Sequence, residues 1–132
     1  MARTFPNPIA LSIPLRTTWE ERWQVLDDDT GEPVDLTDYE MRMQLRDRRT
    51  GALVLTLDSG GASDGTVAIE PETGLIELRV EAPVVAALSP LNRKLTAGWD
   101  AELYIPGSPE YVVPLLSGTA TFTPRVTRPG EP

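Results

Sequence analysis

Asp27, Asp29 and Gly31 place carboxylates on alternate residues ahead of a glycine. Oxygen ligands at that spacing suit Ca²⁺. A calcium loop opened at Asp27 requires glycine at its sixth position and glutamate at its twelfth, where this sequence has Glu32 and Asp38. The segment therefore reads as a solvated acidic turn. Paired carboxylates also hydrolyse glycosides, and 20 Asp and Glu supply many pairs by chance. That chemistry needs a cleft as well, which a small domain seldom encloses. Ser59-Gly60-Gly61 has the composition of a phosphate cradle, but no Lys follows it and Asp58 and Asp64 flank it. A flexible turn is the expected role. The sequence contains no His and no Cys. Imidazole bases, thiolate nucleophiles, disulfides and His- or Cys-ligated metals are excluded from this chain. No catalytic residue, cofactor or metal site is expected.

Charge and aromatic content point to contact rather than catalysis. Twelve Lys and Arg against 20 Asp and Glu leave a net charge of −8, which repels phosphates. The densest basic stretch, Arg42, Arg46, Arg48 and Arg49, is interrupted by Asp47 and reads as the end of a hairpin. Nucleic acid is not an expected partner. Every basic residue except Lys94 is Arg, the side chain that favours bidentate pairs at contact surfaces. Trp23 and Trp99 fall inside strand patterns and are expected in the core. Trp19, at a strand start beside Thr17 and Thr18, is a candidate exposed contact. No apolar run approaches the ~20 residues that span a bilayer. Met1–Leu15, with Pro6, Pro8 and Pro14, has neither the apolar core of a signal peptide nor a membrane anchor, so cytoplasmic synthesis is expected.

The elements that would position these residues are strands. Apolar and polar residues alternate strictly from Tyr39 to Arg46, which predicts a half-buried strand. Tyr39, Met41, Met43 and Leu45 face inward; Glu40, Arg42, Gln44 and Arg46 face solvent or a neighbouring subunit. Further strands are predicted over 19–26, 53–57, 66–70, 75–80, 98–105, 111–116 and 118–123, with Leu53, Leu55 and Leu57 all inward. Acidic, Gly- and Pro-rich turns separate them. One short helix, 82–88, ends before Pro90 and is expected to cross between two sheets. This rhythm predicts an all-β antiparallel sandwich over 17–123. Residues 1–16 form an extended N-terminal arm or edge strand, and 124–132 a C-terminal tail. Removal of residues 1–15 is expected to leave the fold intact.

A longer string sharpens the reading. Trp23-Gln24-Val25-Leu26-Asp27 leads through Gly31-Glu32-Pro33 into Val34-Asp35-Leu36-Thr37 and the strand Met41–Arg46. Gly74–Leu78, Asp100–Leu103, Leu115–Gly118 and Val126–Arg128 follow. Over roughly residues 17–128 the chain resembles small virion proteins of tailed bacteriophages. It is similar to the immunoglobulin-like N-terminal module of upper baseplate proteins. The resemblance implies a virion structural protein made in the bacterial cytoplasm, without enzymatic activity, in a homo-oligomeric or symmetric multi-copy assembly with other virion proteins. Baseplate proteins of that kind continue into a fibre-forming region, so a tail or baseplate adaptor is expected here. A capsid decoration subunit is the alternative, and a carbohydrate-binding module the second. An unpaired strand edge would accept β-addition by a partner. Phe5, Ile9, Leu11, Ile13, Trp19, Arg42 and Arg46 are the candidate partner contacts.

Overall fold

The computed structural model describes residues 9–126. Eight strands and one helix follow in the order β1 (Ile9–Pro14), β2 (Trp19–Gln24), β3 (Glu40–Asp47), β4 (Leu53–Asp58), β5 (Thr66–Glu70), β6 (Leu75–Val80), α1 (Ala82–Leu88), β7 (Leu95–Ile105) and β8 (Ser108–Thr123). They form a five-stranded sheet, β1-β8-β7-β3-β4, and a three-stranded sheet, β2-β6-β5. All pairs are antiparallel except β1 with β8, which is parallel. A three-stranded sheet of the second, sixth and fifth strands faces one built on the third, seventh and eighth. This is the strand arrangement of immunoglobulin domains. The chain is an immunoglobulin-like β-sandwich.

Period-two alternation supplies the core. Met41, Met43 and Leu45 of β3, Ala97, Trp99, Ala101 and Leu103 of β7, and Ile76, Leu78 and Val80 of β6 are buried. They meet between the sheets, as inward positions of a sandwich must. Immunoglobulin domains often join the strands equivalent to β2 and β7 by a disulfide. Here Trp23 of β2 stacks on Trp99 of β7, with ring centroids 5.7 Å apart and planes within 3°. Trp19 meets Phe122 edge-on at 5.9 Å. The Nε1 atoms of Trp19 and Trp99 are buried with no hydrogen-bond partner among the described residues. Leaving each unpaired costs on the order of 1–3 kcal/mol, which the ring burial must offset.

Helix α1 opens with Pro83 in its first turn, where a missing N–H costs nothing, and buries Val85. It carries the chain from the three-stranded sheet to the five-stranded one. At the opposite end, Gly74 adopts φ +67°, and a Cβ there would lie 2.7 Å from the Val34 carbonyl oxygen and 2.8 Å from that of Val25. This close approach ties residues 25–36 to the 71–74 turn. The Val25 N–H donates to the Gly74 carbonyl and the Leu36 N–H to that of Pro71.

Several expectations change. Residues 9–14 are an edge strand, and the sandwich begins with them. Ile13 and Leu15 are buried in the shared core, so removing residues 1–15 would strip core residues rather than spare the fold. Residues 111–123 belong to one strand, β8, because Gly118 does not break the chain; its bare Cα lets the Ile9 backbone approach. Leu53 shares the sequence parity of Leu55 and Leu57 but is 47% exposed, because a bulge in β4 pairs it with the outward-facing Arg46 while Leu55 pairs with Leu45. The second strand ends at Gln24, and Leu26 instead forms a single bridge with Pro33.

Candidate protein contact surface

Alternation sends Glu40, Arg42, Gln44 and Arg46 of β3 to the outer face of the five-stranded sheet. Register then decides their neighbours. Arg42 lies directly opposite Glu102 of β7, and Glu40 opposite Tyr104. Arg42 donates from Nε and Nη2 to Glu102 Oε1 at 3.0 and 2.9 Å, and its guanidinium lies 4.5 Å from the centre of the Tyr104 ring. The Tyr104 hydroxyl donates to Asp58 Oδ1 at the end of β4. Ser59 Oγ donates to Glu40 Oε2 and accepts from the Met41 N–H. Four side chains from three adjacent strands, Glu102, Arg42, Tyr104 and Asp58, form one connected, half-buried network, and the Glu40–Ser59 pair flanks it. Burial and the Asp58 carboxylate push the Tyr104 phenol up to about 12.

The loop after β4 is part of this construction. Asp64 Oδ2 accepts the Thr56 N–H, the Asp64 N–H donates to the Thr56 carbonyl, and Ser63 Oγ accepts the Asp58 N–H. The loop thereby occupies hydrogen-bonding positions along the free edge of β4, a common protection against edge-to-edge aggregation. Ser59-Gly60-Gly61 is the turn that opens this loop: the Ser59 N–H donates to the Met41 carbonyl and the Gly60 N–H to Asp58 Oδ1. Asp27 is likewise a turn former, with Oδ1 accepting the N–H groups of Asp29 and Thr30. Among the described residues, no three Asp or Glu side chains converge on a metal-sized site.

The outer face of the three-stranded sheet differs in character. Arg79 pairs with Glu20 at 3.3 Å and with Glu81 at 2.9 Å, and Arg22 pairs with Glu77 at 3.1 Å. Both members of every pair are exposed, so each contributes little and stays solvated. Glu21 stands between Trp19 and Trp23 on the inward side of β2 and is half-buried. Burial raises its carboxyl above the usual range, partly offset by attraction to the Trp19 indole, whose Nε1–H nonetheless reaches no acceptor in hydrogen-bond geometry.

The candidate contacts named from sequence do not converge. Phe5 lies outside the described residues. Ile9 and Leu11 are half-buried against the core, and Ile13 is fully enclosed by it. Trp19 is 4% exposed, so its side chain is spent on Phe122 and cannot meet a partner. With Trp99 equally buried and Trp23 stacked upon it, none of the tryptophans forms an exposed platform for a sugar ring. Arg42 and Arg46 do lie on one outer face; Arg46 is exposed and donates to the Gly51 carbonyl at 3.3 Å. Tyr104, Glu102 and Asp58 join Arg42 on this face and are not among the candidate contacts. Alternation along 99–105 places Glu102 and Tyr104 on the face opposite Ala101 and Leu103, but only the β3–β7 register brings them to Arg42.

No family model matches the sequence, and no curated protein matches it. Among solved structures, the chain is similar to one in the crystal structure of Dpr2 Ig1-Ig2 in complex with DIP-Theta Ig1-Ig3, with a TM-score of 0.49 and 11% identity. The match covers 96% of this chain and 48% of that one, so this chain spans about half its length. The immunoglobulin-like assignment rests on strand order and pairing.

Proposed function

We propose that the protein is a non-enzymatic structural subunit that works through protein–protein contact. In this reading it is a virion protein of a tailed bacteriophage, an adaptor of the tail or baseplate present in several copies. The observation that carries the contact role is the Arg42–Glu102–Tyr104–Asp58 network on the outer face of the five-stranded sheet. Its side chains are ordered before any partner arrives, which lowers the entropic cost of association. Arg and Tyr are also the residue types that dominate interface energetics. The opposite face also carries arginines, Arg22 and Arg79, but their ion pairs are exposed to solvent and no Tyr lies on its strands. The phage setting comes from the sequence resemblance over roughly 17–128.

Mass spectrometry of purified particles from the phage that encodes the chain tests this proposal. The protein is expected in the virion, at a few to some tens of copies for a tail adaptor; hundreds of copies would reassign it to capsid decoration. Particles produced with Arg42→Ala and Tyr104→Ala are expected to lose it. Absence of the wild-type chain from virions, or unchanged copy number of both variants, overturns the reading.

A further inference from the structure

The strand registers sort the loops into two ends, and the ends carry opposite charge. At one end lie residues 25–39, the 71–74 turn and the β7–β8 connection. Every charged side chain in 25–39, 70–74 and 105–111 is Asp or Glu. At the other end lie residues 15–18, 48–52 and 89–94, whose charged side chains Arg16, Arg48, Arg49, Arg93 and Lys94 outnumber the two carboxylates beside them, Asp47 and Glu81. The eleven residues of β7 run from one end to the other, about 37 Å at ~3.4 Å per residue. That is several Debye lengths at physiological salt, so each end acts as a local charge and not as part of the net −8.

The basic end is also concave. A groove of about 780 Å³ lies between the β3–β4 turn and the 89–94 loop, lined by Arg48, Arg49, Arg93 and Lys94, by Leu88 and Leu91, and by one carboxylate, Asp47, whose Oδ1 accepts the Arg49 N–H. These four cations are exposed, and none makes an ion pair among the described residues. Leu91 is 72% exposed and gives the groove an apolar contact. The acidic end projects Asp29, Glu32 and Glu72, all exposed, and beside them the β8 residues Tyr111 and Val112 expose apolar surface. Charge sign and apolar content are thus complementary between the two ends of one molecule.

The geometry points to a second copy of this chain as the occupant of the basic groove, its acidic end seated against Arg49, Arg93 and Lys94. Such a contact is heterologous, uses different surfaces on the two partners, and propagates as a ring or a file of subunits. It uses neither sheet face and does not depend on the contact role proposed above. Oppositely charged ends set orientation and on-rate more than affinity. The contact is therefore weak in isolation and is reinforced only when many copies are held together.

Sedimentation velocity of the purified chain across a concentration series tests it. At 100 mM salt the weight-average mass is expected to climb above the 14.5 kDa protomer, and the association constant to fall at least about tenfold at 500 mM. One variant, Arg49→Glu with Arg93→Glu and Lys94→Glu, has two acidic ends. A second, Asp29→Lys with Glu32→Lys and Glu72→Lys, has two basic ends. Each alone is expected to remain monomeric, and an equimolar mixture to associate again. Circular dichroism checks folding; should a triple variant fail to fold, Lys94→Glu and Glu32→Lys are read in the same way with smaller shifts. A wild-type chain that stays monomeric at millimolar concentration overturns the proposal, as does a variant that associates like wild type or a mixture that stays monomeric. A DNA duplex that occupies the groove and blocks association would show that its occupant is a nucleic acid. Virion incorporation is not a readout here, so failure of this test leaves the contact role standing.

Discussion

Replacing Gly118 by Ala should peel the start of β1 from the sheet. A Cβ on Gly118 would fall 1.8 Å from the Ile9 carbonyl oxygen, 2.7 Å from its carbon and 2.8 Å from its nitrogen. All three are backbone atoms, so no rotamer change relieves the clash. If Ile9 alone retreats, its half-buried side chain loses about 1 kcal/mol of burial, and a lost ladder hydrogen bond adds about 1 kcal/mol. The expected destabilisation is about 2 kcal/mol, a large share of the 5–15 kcal/mol typical of a domain. Departure of the whole strand would also uncover Ile13 and Leu15, at about 1.5–3 kcal/mol each, and unfold a marginal domain. Urea denaturation followed by tryptophan fluorescence measures the loss, with the m-value expected to hold. Amide exchange shows where it occurs, with protection falling first at Ala10 and Leu11. A loss below about 0.5 kcal/mol with unchanged exchange would refute the close-approach role of Gly118.

Two titrations probe the remaining buried chemistry. Tyr104 should ionise above the ordinary phenol value when absorbance is followed at alkaline pH, and Tyr104→Phe should remove that step. Because its folded value, about 12, lies above the ordinary 10.0, the unfolded chain loses this proton first. Stability from this group is intact below pH 10 and is lost as pH climbs towards 12; a Tyr104 titrating at the ordinary value would contradict the Asp58 contact. For Glu21, whose carboxyl is raised from 4.5, the same sign holds in the acid range. Its contribution is present below the unfolded value and lost as pH rises through the folded one, so Glu21→Gln should stabilise the protein at neutral pH and flatten that segment of the pH profile. An unchanged profile would place Glu21 in solvent.

Much of the architecture was readable from local pattern. The alternation over 39–46 assigned faces to Met41, Met43 and Leu45 on one side and Arg42 and Arg46 on the other, and the structure keeps both assignments. The 82–88 helix ends before Pro90 as expected, and it does cross from the three-stranded sheet to the five-stranded one. Trp19 was misjudged because strand position says where a side chain points and not what covers it; Phe122, more than a hundred residues later, does the covering.

What the sequence determined by itself is periodic and compositional: a β-sandwich with an apolar seam, acidic turns, and no groups for imidazole or thiolate chemistry. Side-chain direction along a strand repeats every second residue and needs no distant partner. Tertiary structure alone decided that Arg42 faces Glu102, that Gly118 admits Ile9, and that acidic and basic loops collect at opposite ends. Each depends on pairing between segments far apart in the chain. Register there is set by the packing of the whole core, and no local spacing encodes it.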